Sequence, residues 1–164
     1  MDLLNVIWAY VLVFILSAIP FFEALVVVPL AILGGLHPLL VTVIAVIGNL
    51  LTVYLVIVFI EKIKSWRKKK KKDEDQKESK RSRRAQVIWK KYGLPGLALI
   101  GPFFVGSHLT ALMSITLGGT KKGVAYWMTI SLVAWCIGLA ILAYLGFDLL
   151  GSGDRGFIIE IFNR

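Results

Sequence analysis

The chain has 164 residues, 57% of them hydrophobic, with nineteen Lys/Arg against ten Asp/Glu and a formal charge of +9. A mean hydropathy of +0.77 is too high for a soluble domain with a wetted polar surface, and the length leaves room for one compact membrane domain. The single cysteine, Cys136, excludes an intramolecular disulfide, and with no metal-ligand spacing, Ser/His/Asp set or phosphate loop, neither an enzyme nor a cofactor or metal site is expected.

Taken in order, residues 3–35 form a long apolar run interrupted by Pro20, Glu23 and Pro29. The opening Met1-Asp2 has no basic flank, so no cleaved signal peptide is expected. Residues 38–60 form an unbroken apolar block long enough to cross a bilayer, which takes about 20 residues. A basic loop follows at 62–86. Between Lys62 and Lys91 there are fifteen Lys/Arg and four Asp/Glu, which the positive-inside rule places in the cytoplasm. Such a loop can also touch anionic headgroups. It lacks aromatic interleaving except Trp66 and Trp89 at its membrane ends, where interfacial anchors belong, so nucleic acid is not the expected partner. Residues 87–119 form a second broken run, interrupted by Pro95, Gly101, Pro102, Gly106 and His108. Residues 123–147 supply the second span, with Cys136 as a packed thiol inside it. The tail 148–164 is mixed, with 156–162 suited to the interface.

The two halves, 1–61 and 87–147, resemble each other. Gly34-Gly35 aligns with Gly118-Gly119 at an offset of 84 (118 − 34), which carries Leu3 to Val87 and Glu23 to Ser107. Each half is then a broken segment, a Gly-Gly pair and a span. Internal symmetry with Pro/Gly-interrupted segments is a sequence sign of transporter-like architecture. Each broken segment has 33 residues (35 − 3 + 1), too long for one straight crossing and too short for two, which need about 40. A re-entrant hairpin fits that length. The second broken segment has cations at both ends, Arg83, Arg84, Lys90 and Lys91 at its start and Lys121 and Lys122 after it, so both ends belong inside; the first has none. Each half then crosses once, and the halves are inverted. The rival topology, four crossings with parallel halves, would put Lys121 and Lys122 outside.

The expected fold is therefore all-α: a polytopic membrane protein of two inverted repeats, each a re-entrant hairpin plus one transmembrane helix. So thin a bundle calls for a homo-oligomer in contact with membrane lipids. Glu23 stands in apolar sequence with no cation nearby. A carboxylate in hydrocarbon costs several kcal/mol unless it is neutral, paired or wet, and intramembrane ionisable groups are functional by default. That makes Glu23 a candidate proton carrier. His108, beside Ser107, is the second candidate, because imidazole exchanges protons near neutrality. On a pseudo-two-fold axis the two would approach each other. Pro29 and Pro102 are expected to kink or break their helices. Pro20 interrupts likewise, and Gly34, Gly35, Gly101, Gly106, Gly118 and Gly119 permit turns and close approach. Asn49, Thr110, Ser114, Ser131 and Trp135 are secondary lining candidates, for which interhelical packing is the plainer role.

Phe21-Phe22-Glu23-Ala24 with Pro29, and Tyr92-Gly93-Leu94-Pro95-Gly96-Leu97 running into Gly101-Pro102, resemble the small multidrug export family of prokaryotic membrane proteins, related to the DedA superfamily. The resemblance covers roughly 21–138 without the basic loop. It implies a cell (inner) membrane location, two inverted re-entrant hairpins and transport of a small amphipathic molecule or lipid between leaflets, with proton coupling. The acidic residue of the first hairpin matches Glu23. The arginines that DedA proteins carry in the second hairpin have no counterpart in 101–117, which departs from phosphate-headgroup recognition. A structural or regulatory membrane protein whose hairpins only pack is the alternative. Cysteines placed at Asp2, Leu36 and Thr120 test the topology. An impermeant thiol reagent is expected to label the first two from outside and the third only from inside.

Overall fold

The computed structural model describes residues 3–20, 22–60, 62 and 80–149. Among them the secondary structure is wholly helical: α1 (Leu3–Ala18), α2 (Glu23–Leu33), α3 (Pro38–Val58), α4 (Lys80–Phe104), α5 (Ser107–Thr116) and α6 (Lys121–Leu149). The middle of the basic loop, Trp66 and the tail beyond 149 lie outside the described residues.

Two helices, α3 and α6, are long and apolar enough to cross a membrane. At 21 and 29 residues they run about 31 and 43 Å against a hydrocarbon core of about 30 Å. Leu39, Leu40, Ile47, Leu51 and Leu55 of α3 and Ile130, Ile137, Ile141, Leu142 and Leu145 of α6 are exposed, while Glu23, Asn49, Ser107, His108, Thr110, Ser114 and Ser131 are buried. Apolar groups outside and polar groups inside is the arrangement lipid favours. The start of α3 places Pro38 in the first turn, where its missing N–H is not needed. The start of α6 is capped by Thr120, whose Oγ1 accepts the Gly123 N–H at 3.1 Å.

The chain divides into two compact units. The first holds α1, α2, α3 as far as Leu51 and α6 from Leu132. In it α1 packs on α2, and the Tyr10 hydroxyl accepts the His37 N–H at 3.2 Å. Its core is rich in alanine: Ala9, Ala24, Ala31, Ala45, Ala140 and Ala143, with Val13, Val28, Val41 and Cys136. Small side chains let helices approach closely where dispersion must replace hydrophobic burial. Cys136 is thus a packed core thiol, as its apolar surroundings in the sequence imply.

The second unit holds α3 from Thr52, α4, α5 and α6 as far as Ser131. Here α4 packs on α5 around Ala85, Leu97, Val105 and Met113. Trp89, expected at the interface, is partly buried and packs against that cluster. Tyr54 and Thr129 join α3 to α6 through their hydroxyls at 2.5 Å.

Several sequence expectations need correcting. Helix α4 begins at Lys80, inside the stretch 62–86 read as loop. Pro29 sits within α2 and Pro102 within α4, and neither ends its helix. Each removes one backbone donor, a loss that neighbouring groups can absorb in a membrane protein. The breaks fall elsewhere. One lies between α1 and α2 around Pro20, the other at Val105-Gly106, where Gly106 has φ 99°. A kink within α4 sits at Gly93, with φ 66° and ψ −158°, so Pro95 lies in the first turn beyond it and needs no donor.

The Gly-Gly register also shifts by one. After α2, the N–H groups of Gly34, Gly35 and Leu36 donate to Leu30, Ile32 and Ala31 carbonyls; after α5, those of Leu117, Gly118 and Gly119 donate to Met113, Ile115 and Ser114. The left-handed residue is Gly35 in one turn and Gly118 in the other. The two turns therefore match at a spacing of 83 (118 − 35), which sets Glu23 opposite Gly106 rather than Ser107.

At Gly48 a Cβ would lie 2.6 Å from the Phe14 carbonyl oxygen, an atom of the backbone that cannot swing aside. Gly48→Ala is expected to destabilise the protein by about 1–3 kcal/mol, read as a lower melting temperature in detergent. Gly138→Ala, which meets nothing within 4 Å, should leave the melting temperature unchanged or slightly raised.

Candidate functional site

In the first unit the polar residues gather around the end of α1. Its chain leaves the helix after Ala18, turns at Pro20, and re-enters helix at Glu23, whose N–H donates to the Ile19 carbonyl at 3.2 Å. Glu23 is only 6% exposed. It is also the only non-glycine among the described residues with positive φ, at 40°. An L side chain in that region costs about 1–2 kcal/mol. The matching position of the other turn, Gly106, is filled by the residue such geometry favours. Ser17, one turn beyond Phe14 on α1, is fully buried, and its hydroxyl has no protein partner. Asn49 is fully buried too, one residue beyond Gly48, where α3 meets α1 at Phe14.

The second unit carries His108, 9% exposed, at the start of α5. Its Nδ1 lies 3.2 Å from Ser107 Oγ and its Nε2 2.8 Å from Thr52 Oγ1 on α3. Both partners are hydroxyls, and a hydroxyl can donate or accept. Either neutral tautomer keeps both contacts, and so does the imidazolium, which donates twice. His108 can therefore gain, lose or relocate a proton without losing a hydrogen bond.

Thr110 and Ser114 follow on the same helix, both fully buried. Ser131, nearly as buried, donates to the Leu99 carbonyl at 3.4 Å. The turn glycines Gly34, Gly35, Gly118 and Gly119 shape the ends of α2 and α5 and carry no chemistry. Trp135 is partly buried against the core of the first unit. No group of three or more His, Cys, Asp or Glu stands together among the described residues.

An open groove of about 610 Å³ in the first unit is lined by α3 from Pro38 to Ile47 and by α6 from Val133 to Leu145. Its polar lining is slight, and the Thr42 hydroxyl is turned back onto the Pro38 carbonyl at 2.7 Å. With no convergent polar groups it cannot orient a ligand. The buried ionisable side chains are instead Glu23 and His108, in different units. Of the sequence candidates, Ser107 and His108 come together in the structure. Thr52 and Ser17 were missed. The signal available for each was a lone hydroxyl inside an apolar helix.

A family model described as "Putative small multi-drug export protein" matches residues 23–137. The chain belongs to the small multi-drug export family. That match begins at Glu23 and takes in α2 through most of α6, including Asn49, Ser107 and His108. With two apolar helices of membrane length, it makes this family member a membrane protein. No curated protein and no solved structure matches the chain.

Removing the Thr52 hydroxyl strands a buried imidazole nitrogen, at a cost of about 1–3 kcal/mol. Thr52→Val is therefore expected to lower thermal stability in detergent by that amount, while Thr52→Ser, which keeps the oxygen, should melt close to the wild type.

Proposed function

We propose that the protein is a proton-coupled secondary exporter of a small amphipathic molecule or lipid, with Glu23 as the coupling carboxylate. One observation carries this reading. A carboxylate is held in a buried position, on a backbone that disfavours any side chain, at a break between two helices. Strain retained at a polar break inside apolar surroundings is characteristic of sites where a side chain does chemistry. In a proton-coupled cycle the carboxylate binds a proton on one side of the membrane and releases it on the other.

In this reading α1–α2 and α4–α5 form two re-entrant hairpins of inverted halves, with the basic loop in the cytoplasm and a homo-oligomer covering the hairpin tips. Helix length supports it. With 11 and 10 residues, α2 and α5 run only about 15–17 Å, half of the hydrocarbon thickness. The repeated turn pattern at Gly35 and Gly118 supports it as well. Transport rather than packing alone is favoured because packing does not require an acid at position 23.

The test uses purified protein in vesicles loaded with a fluorescent lipophilic cation or a short-chain fluorescent phospholipid, under an imposed pH gradient. Glu23→Gln keeps the shape and the backbone cost and removes the titrating group. It is expected to lower gradient-driven movement of the responsive probe by about a hundredfold or more, with melting behaviour unchanged. Movement at the wild-type rate in Glu23→Gln, or movement of neither probe by the wild type, counts against the reading.

A further inference from the structure

Threonines in these helices ordinarily satisfy their own hydroxyls. Thr42, Thr116 and Thr129 each donate to the carbonyl four residues earlier, at 2.7–2.8 Å. Thr110 does not. Its Oγ1 and the Ser114 Oγ are fully buried and have no protein partner. Each such hydroxyl in a dry apolar setting costs about 1–3 kcal/mol. The bland explanation for buried membrane hydroxyls is interhelical hydrogen bonding, and neither of these two makes one.

Their placement is ordered. Ser107, Thr110 and Ser114 stand at i, i+3 and i+7, on one face of α5. Successive members of such a row are about 5–6 Å apart, twice a hydrogen-bond length of about 2.8 Å. A single water between each pair would satisfy both neighbours. A Cβ at Gly101 would lie 2.6 Å from Thr110 Oγ1 and Cγ2, so glycine there lets α4 pack directly against this side chain. At its far end the row comes within a turn of Gly118 and Thr120, which are exposed, with exposed Lys121 and Lys122 just beyond. At its near end Ser107 contacts His108 Nδ1, and Nε2 contacts Thr52.

We infer that this face of α5 binds water and forms a proton path from the turn at 117–120 to His108. The inference rests on the proton-coupled reading above and supplies its route to the aqueous side. A proton arriving at Ser107 displaces that hydroxyl's own proton onto Nδ1. The imidazolium then releases the proton on Nε2 to Thr52 Oγ1, which passes its own onward. One proton enters and one leaves, and the ring ends as the other tautomer. A metal ion is a poorer occupant of the row, since its members are neutral hydroxyls with no carboxylate or thiolate among them.

The experiment needs no transported substrate. In full-length protein carrying Cys136→Ala, reconstituted in lipid nanodiscs, single cysteines are treated with a small water-soluble methanethiosulfonate. Thr110→Cys and Ser114→Cys are expected to react, as exposed Thr116→Cys does, while Leu112→Cys, buried on the same helix but on its other side, stays inert. In protein with ¹⁵N-labelled histidine and His37→Gln, exchange of the His108 ring proton with water is then followed by NMR. Thr110→Val should slow it at least about tenfold, and Thr110→Ser should restore it. Cysteines at 110 and 114 as inert as at 112 overturn the inference, as does unchanged exchange in folded Thr110→Val. A dry face with transport intact sinks this inference alone. A wet face with no transport by the wild type sinks the export reading and leaves the water path standing.

Discussion

Every polar group that this chain carries into hydrocarbon has to find its partners within the protein or in bound water, because lipid supplies none. That requirement explains where the structure is regular and where it is not. The long helices α3 and α6 satisfy their backbones internally and expose leucine and isoleucine. Among the described residues the irregular backbone lies at the breaks after α1 and α4, at the Gly93 kink and in the turns that follow α2 and α5. There the freed groups are tied by the paired turn bonds at 34–36 and 117–119. The few polar side chains follow the same rule. Thr42, Thr116 and Thr129 fold back on their own helices, and His108 takes a hydroxyl on each side.

Against that background the exceptions are informative. Glu23 accepts an unfavourable backbone in a buried position, where glycine would fit without strain. Thr110 and Ser114 decline the internal bond their neighbours make. These departures lie in the two short helices that follow the breaks, α2 and α5, and not in the spans.

The sequence revealed the large-scale pattern readily, because hydropathy over twenty residues is a strong signal and both spans fall where the apolar blocks lie. It also singled out Glu23 and His108, both of which are buried, since an ionisable residue in apolar text is conspicuous. It misled at Pro29 and Pro102, because a proline removes one hydrogen bond without obliging the helix to end. The sequence offset of 84 misses the match between the two turns by one residue, because two adjacent glycines look alike in sequence while only one of each pair takes positive φ. Thr52 showed in the sequence only as a hydroxyl inside an apolar helix. Its role depends on which helix faces His108, and nothing local to residue 52 encodes that.

The backbone at position 23 has a practical corollary for anyone engineering this protein for structural work. Screens that reward heat resistance should be drawn to glycine there, since it removes a built-in penalty. On the export reading proposed above, the winners of such a screen would be sturdier and inert. Selection for robustness and selection for turnover thus pull on this one codon in opposite directions.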